Sequence, residues 1–207
     1  MPPDATSPAG AFYFDLASPE AYLAAEQVLH TLPGPAEWRG VLASELPSAG
    51  EPAGAGEPTG GEGYRGAIER RAGELELAPL RWPEPFPFDS RLAMLIATYA
   101  RSIGRGVPFA QAAFRQAFAG GRSLAEENSV LIAGAACEMH PAAVLRAAGM
   151  RSLADQLAEA TAEAAAAGVR RVPAVSVEGV IFHGEGSLAD AAGAMLAAAP
   201  SLRGAGR

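Results

Sequence analysis

Residues 11–23 read AFYFDLASPEAYL, and the reading of this stretch decides the fold. Its first half, Ala11 to Ala17, mixes aromatic and small residues like a buried β-strand. The chain turns at Ser18–Pro19, and Pro19 to Leu32 reads as a helix, with Ala21, Leu23, Ala24, Gln27, Val28 and Thr31 recurring near the helical period. Ser18 suits the N-cap, where its hydroxyl oxygen accepts an early helical N–H, and Pro19 suits the first helical position, where no N–H is needed. A strand that feeds straight into a helix N-terminus sets Ser18 beside unpaired N–H groups and the positive end of the helix dipole. That is a place for an anion, a thiolate included.

Working outward, residues 1–10 form a lead-in of Pro, Ser and Gly, expected to be disordered. On the other side, LPGP (32–35) ends the helix and EWRGVL (37–42) is a second short strand. Residues 44–63 carry Gly, Pro, Glu and Ala without apolar periodicity and read as a flexible loop. Tyr64 to Leu77 is predicted helical. RWPEPFPF (81–88) is predicted extended and stiff, with Trp82, Phe86 and Phe88 as a seam between two parts of the molecule. Helical patterns follow over 90–105, 108–119, 124–134, 140–148 and 150–168. VPAVSV (172–177) and VIFH (180–183) then read as strands joined by a tight Glu178–Gly179 turn. Ser187 opens a last helix to about Ala199, and Asp190 three residues on suggests a capping box. The order is β-α-β, a long helical block, then β-β-α.

Composition narrows the function. The chain has 207 residues and a net charge of −7, with no basic patch of the kind nucleic acid demands. No apolar run is long enough to span a bilayer, and MPPDATSPAG has neither the basic residues nor the apolar core of a signal peptide. The single cysteine, Cys137, rules out an internal disulfide and fits a reducing compartment, so a cytoplasmic location is expected.

The element order is that of an α/β thioredoxin-like fold with an all-helical domain inserted between its βαβ and ββα halves. Residues 11–60 and 169–200 would form the thioredoxin-like domain and 61–168 the helical one, with 1–10 and 201–207 as tails. Three stretches carry a narrower resemblance. FDLASPEAYL resembles the opening motif of the 2-hydroxychromene-2-carboxylate isomerases and kappa-class glutathione transferases, in which Ser-Pro stands where DsbA-like oxidoreductases carry their first cysteine. RWPEPFPFDSRLA resembles the proline-rich approach to that family's helical domain. GVRRVPAVSVEGVIFHGEGSL resembles its strand, hairpin and closing helix.

The resemblance implies a cis bond before Pro173 and a Val172 main chain that pairs with the peptide of glutathione like an added strand. It also implies a site at Gly186–Ser187, where the family carries an Asp-Arg pair. There Ser187 and the backbone N–H groups of Gly186 to Ala189 would hold the γ-glutamyl carboxylate. The implied activity is a thiol-dependent isomerase or transferase acting on a small aromatic acid or electrophile. Glutathione or another low-molecular-weight thiol would be its cofactor, and Ser18 would donate a hydrogen bond to the sulfur. A homodimer is implied by the likeness alone. Glu20 departs from the family, which often has an aromatic there; its carboxylate would oppose a neighbouring thiolate.

Two other readings stand beside this one. A dithiol redox protein needs a pair of thiols, and neither Ser18 nor Ala21 is cysteine. A non-catalytic descendant would bind a thiol or a peptide without turning anything over. The remaining candidates read as structural: Cys137 as a small core residue, His30 at a helix end, His140 at a helix start, and the G-x-G-x-x-G match at 61–66 as coincidence, since no strand precedes it. His183 ends a strand close to where a ligand would lie, and Arg170 or Arg171 would steer a carboxylate substrate. Three histidines without ligand spacing and one cysteine exclude a zinc site.

Overall fold

A computed structural model describes residues 10–47, 60–184 and 186–198. Strand β1 (Gly10–Phe14) is central, with β2 (Ala36–Gly40) parallel on one side and β3 (Ala174–Val177) antiparallel on the other. Strand β4 (Val180–His183) pairs antiparallel with β3, giving the order β2-β1-β3-β4. Parallel neighbours need a crossover, and helices α1 (Pro19–Ala25) and α2 (Val28–Thr31) supply it. Among the described residues six α-helices lie between β2 and β3 in the chain: α3 (Glu62–Glu74), α4 (Arg91–Ser102), α5 (Gly106–Phe118), α6 (Glu127–Ala135), α7 (Pro141–Ala148) and α8 (Arg151–Ala166). Helix α9 (Ser187–Ala198) follows β4. This is the thioredoxin-like α/β arrangement with a helical insertion between its two halves.

The sheet alternates as strands must. Phe12 and Phe14 face one way and join Trp38, Phe114 and Phe118 in the main core, with Phe14 and Phe114 ring centroids 5.8 Å apart. Ala11 and Tyr13 face the other way, into a smaller core with Ala164, Val169 and Ala174. At Gly10 the backbones run so close that a Cβ would strike the Ser176 carbonyl oxygen and the Met195 methyl.

Several expectations are corrected. Gly10 is not part of a disordered lead-in but the first residue of β1, opposite Ala36 and Val177; residues 1–9 and 199–207 lie outside the described residues. The helix predicted over 19–32 is two helices. The Gln27 N–H bonds to Ala24, one residue short of the α-helical partner, and the Gln27 side-chain amide takes the Leu23 carbonyl instead. Strand β2 is shifted from 37–42 to Ala36–Gly40; the Val41 N–H still bonds to the Phe14 carbonyl, whereas the Leu42 N–H goes to the Thr161 hydroxyl of α8. Of the 44–63 loop, residues 48–59 lie outside the described residues; Ala43–Glu45 is a single 3-10 turn and Glu62 already belongs to α3. The 81–88 segment is bent at 84–87 rather than straight, and its Glu84–Pro85 and Phe86–Pro87 peptides are cis. Ser187 is the first helical residue of α9 and not its cap, because the Asp190 N–H closes the first turn on the Gly186 carbonyl.

Candidate functional site

The carboxyl ends of β1 and β2 and the start of β3 lie at one end of the sheet, as Phe14 opposite Gly40 and Tyr13 opposite Ala174 show. In open α/β sheets the crevice beyond the carboxyl ends of the strands is where ligands bind. Here it holds a cleft of about 540 Å³. The turn after β1 contributes Asp15 and Ser18; the first turn of α1, Glu20; the turn after β2, Ser44; α3, Tyr64; the segment before α4, Phe86 and Phe88; and the run into β3, Arg170 to Val172.

Ser18 caps α1. Its backbone is extended (φ −92°, ψ 115°) and its Oγ accepts the Ala21 N–H at 3.0 Å. Its hydroxyl hydrogen goes to Glu20 Oε2, 3.0 Å away. The Tyr64 hydroxyl donates to Glu20 Oε1 at 2.7 Å, so one carboxylate gathers two O–H donors. Burial and the Glu20 charge push the Tyr64 pKa well above its usual 10, and its proton stays on. Asp15 is buried beneath, accepting the N–H groups of Ala17 (2.9 Å) and Ala43 (2.8 Å). Desolvation raises its pKa above 3.8, against the opposing pull of those donors and of Ser90.

Val172 shares the cleft with Ser18, and its peptide bond to Pro173 is cis. Among the described residues the Val172 main chain makes no hydrogen bond. Pro173 is turned away from this cleft and lines a smaller pocket of about 150 Å³ between α1 and α3, where Glu20 appears again. Arg170 and Arg171 both line the large cleft. The Arg170 guanidinium is held by the Ala165 carbonyl at 2.7 Å, whereas Arg171 makes no hydrogen bond or ion pair among the described residues.

The structure does not bring Gly186 and Ser187 to the cleft. Gly186 is exposed, and Ser187 is 1% exposed with its hydroxyl unpartnered among the described residues. His183 Nε2 accepts the Arg170 N–H at 3.1 Å, and burial with the two neighbouring arginines lowers its pKa. His140 caps α7 through Nδ1, His30 is exposed in α2, and Cys137 is buried with its thiol pKa raised by desolvation. Gly61 to Gly66 start α3, and the described residue directly before them, Gly60, is in a turn and not a strand. Trp82 packs at a tilt against Tyr64 and Phe86 and edge-on to Phe118 in the expected seam, but Phe86 and Phe88 also wall the cleft. Among the described residues no three His, Cys, Asp or Glu side chains group as metal ligands would, and no helix there is long and apolar enough to cross a membrane.

Asp15 and Tyr64 belong to the site although no motif in the sequence marks them. Tyr64 stands 44 residues from Glu20 on a helix whose docking no local pattern announces. Asp15 carries a weak signal, a carboxylate inside an apolar strand end that must find donors if buried.

No protein-family model and no curated protein sequence matches the chain. Solved structures do. A 2-hydroxychromene-2-carboxylate isomerase superimposes with a TM-score of 0.78 at 17% identity, covering 91% of this chain and 94% of that one. A probable DsbA oxidoreductase from Streptomyces coelicolor gives 0.73 at 16%, covering 91% and 88%. The cytosolic disulfide reductase DsbM from Pseudomonas aeruginosa gives 0.58 at 16%, covering 84% and 87%, and has also been solved with glutathione. At these identities the likeness establishes a DsbA-like thioredoxin fold.

Proposed function

We propose that the chain is a thiol-dependent isomerase or transferase. In this reading it binds glutathione or another low-molecular-weight thiol between Ser18 and Val172, and acts on a small aromatic acid or electrophile in a reducing, cytoplasmic setting. The observation that carries the reading is the shared cleft: Ser18 and Val172, from opposite ends of the chain, line one open space with aromatic walls and an uncommitted arginine. The isomerase and the glutathione-bound reductase among the structural neighbours support it. With a single cysteine in the chain, dithiol exchange within one molecule is excluded.

The residues present fit part of such a thiol. Ser18 meets the sulfur, the unbonded Val172 main chain meets a peptide group as an added strand would, and Arg171 meets a carboxylate. They do not supply the γ-glutamyl grip expected at Gly186–Ser187, since neither residue lines the cleft. When bound, the thiol supplies a nucleophilic sulfur that attacks and leaves a conjugated carbon. The chain itself orients that sulfur through Ser18, excludes water with Phe86 and Phe88, and positions a substrate carboxylate with the arginines.

The test is turnover of 2-hydroxychromene-2-carboxylate and of chlorodinitrobenzene with glutathione present. Ser18→Ala should lower turnover by about 10² or more, the cost of one preorganised donor. Unchanged turnover removes Ser18 from the mechanism. The absence of the γ-glutamyl grip favours the second reading, a thiol- or peptide-binding module without catalysis; saturable thiol binding with no turnover of either substrate would establish it.

A further inference from the structure

We propose that Glu20 is the base that takes the proton of the bound thiol, in exchange for the hydroxyl hydrogen bond that Ser18 now gives it. The proposal rests on the thiol-dependent reading above and names the proton acceptor that reading lacks. Ser18 has one hydrogen to donate, and it is directed at Glu20 Oε2, 3.0 Å away. While that bond stands, Ser18 cannot donate to sulfur. Glu20 lines both the large cleft and the smaller pocket, and its carboxylate is bonded to the Ser18 hydroxyl, which belongs to the same cleft.

A thiolate brought to Ser18 would meet this carboxylate at close range. Two anions sharing one site hold a proton between them, because ionising both is costly. The step that satisfies every group is a swap. The S–H bond breaks and its electron pair stays on sulfur; the proton forms an O–H bond at Glu20 Oε2; the Ser18 hydroxyl turns from Oε2 to the sulfur. The Tyr64 hydroxyl keeps donating to Oε1 and holds the carboxyl group in place. No proton leaves for solvent. Other charged groups bear on Glu20 from both sides. Asp15, Asp89, Arg170 and Arg171 share the large cleft, and Arg70, Arg71 and Glu74 of α3 share the small pocket. The cations on each side bear on the negative charge that the swap moves from Glu20 to the sulfur.

The experiment is a calorimetric titration of glutathione into the protein near pH 7, in two buffers of different ionisation heat. Free glutathione is mostly thiol there, its pKa being about 8.5 by the cysteine value. Wild type should release close to zero protons per thiol bound while the bound sulfur shows the ultraviolet absorbance of a thiolate; zero release without that absorbance means that the proton stayed on sulfur, and overturns the assignment. Glu20→Gln, which keeps the shape and loses the base, should release a proton as Ser18 stabilises the thiolate. The rate with pH is the second readout. Wild-type kcat/KM should hold to pH values well below the thiol pKa. Glu20→Gln should fall about tenfold per pH unit below it. Equal proton release by wild type and Glu20→Gln, or the same pH limb in both, overturns the assignment and leaves the thiol-dependent reading intact. No binding of glutathione or mercaptoethanol by wild type overturns that reading, and this one with it.

Discussion

Asp15 holds three segments together by itself. Its two oxygens take the N–H groups of Ala17 and Ala43, and Ser90 adds a hydroxyl. The turn that presents Ser18, the turn after β2 and the start of α4 are thereby tied to one buried carboxyl group. Because burial raises its pKa above 3.8, the folded protein holds this proton more tightly than the unfolded chain does. The stability that this gives is complete below the unfolded value and is lost as pH rises through the folded one. Asp15→Asn removes the titration and leaves one backbone N–H without an acceptor, at a cost of about 1–3 kcal/mol. Urea unfolding at a series of pH values from about 4 to 7 should show the variant's deficit shrinking as pH rises, since only wild type loses the proton-linked part. A deficit that grows with pH would mean that the N–H donors, and not desolvation, govern this carboxyl group.

At the scale of elements, the β3–β4 hairpin shows how far local sequence reaches. The Glu178–Gly179 turn is legible because so few dipeptides tolerate positive φ at both positions, and the backbone is there at +49° and +83°. Glycine adopts that geometry freely; Glu178 does so at a cost of about 1–2 kcal/mol, which asparagine largely avoids. Glu178→Asn should raise the thermal midpoint by several degrees, consistent with about 0.5–1 kcal/mol. An unchanged midpoint would show that the cross-strand pairs alone set the turn. The strands around it were equally readable, since a run such as Phe12-Tyr13-Phe14 allows little else than a strand covered on both faces. The break at Glu26–Gln27 was not readable, because the period of apolar residues continues through it and only a side-chain bond to Leu23 ends the first helix. The same limit applied to the site. Ser18 and Val172 could be placed by motif, whereas the Tyr64–Glu20 bond and the burial of Ser187 depend on how separate helices dock.

Across the whole molecule, the decisive fact is that the main core does not stop at the boundary between the sheet and the inserted helices. Tyr22 of α1 stacks on Phe118 of α5 with centroids 5.6 Å apart, and Phe118 in turn meets Trp82 at 6.3 Å. Phe14 of β1 touches Phe114 at 5.8 Å, and Trp38 of β2 stands edge-on to both Phe12 and Phe14. An insertion with its own independent core would melt on its own; one whose core is continuous with the sheet's must unfold with it. The two tryptophans sit on either side of this continuity, Trp38 in the sheet and Trp82 against α5, so each reports on a different half. Fluorescence of single-tryptophan variants, with the other position changed to Phe, should give coincident urea transitions that also match far-ultraviolet circular dichroism. Phe118→Ala, which empties a fully buried position, should lower both transitions together by about 3–5 kcal/mol. Two separated midpoints in wild type, or a Phe118→Ala effect confined to the Trp82 signal, would show instead that the inserted helices fold as a separate unit. The cleft between Ser18 and Phe86 would then have walls of unequal stability, and ligand binding would have to order one of them.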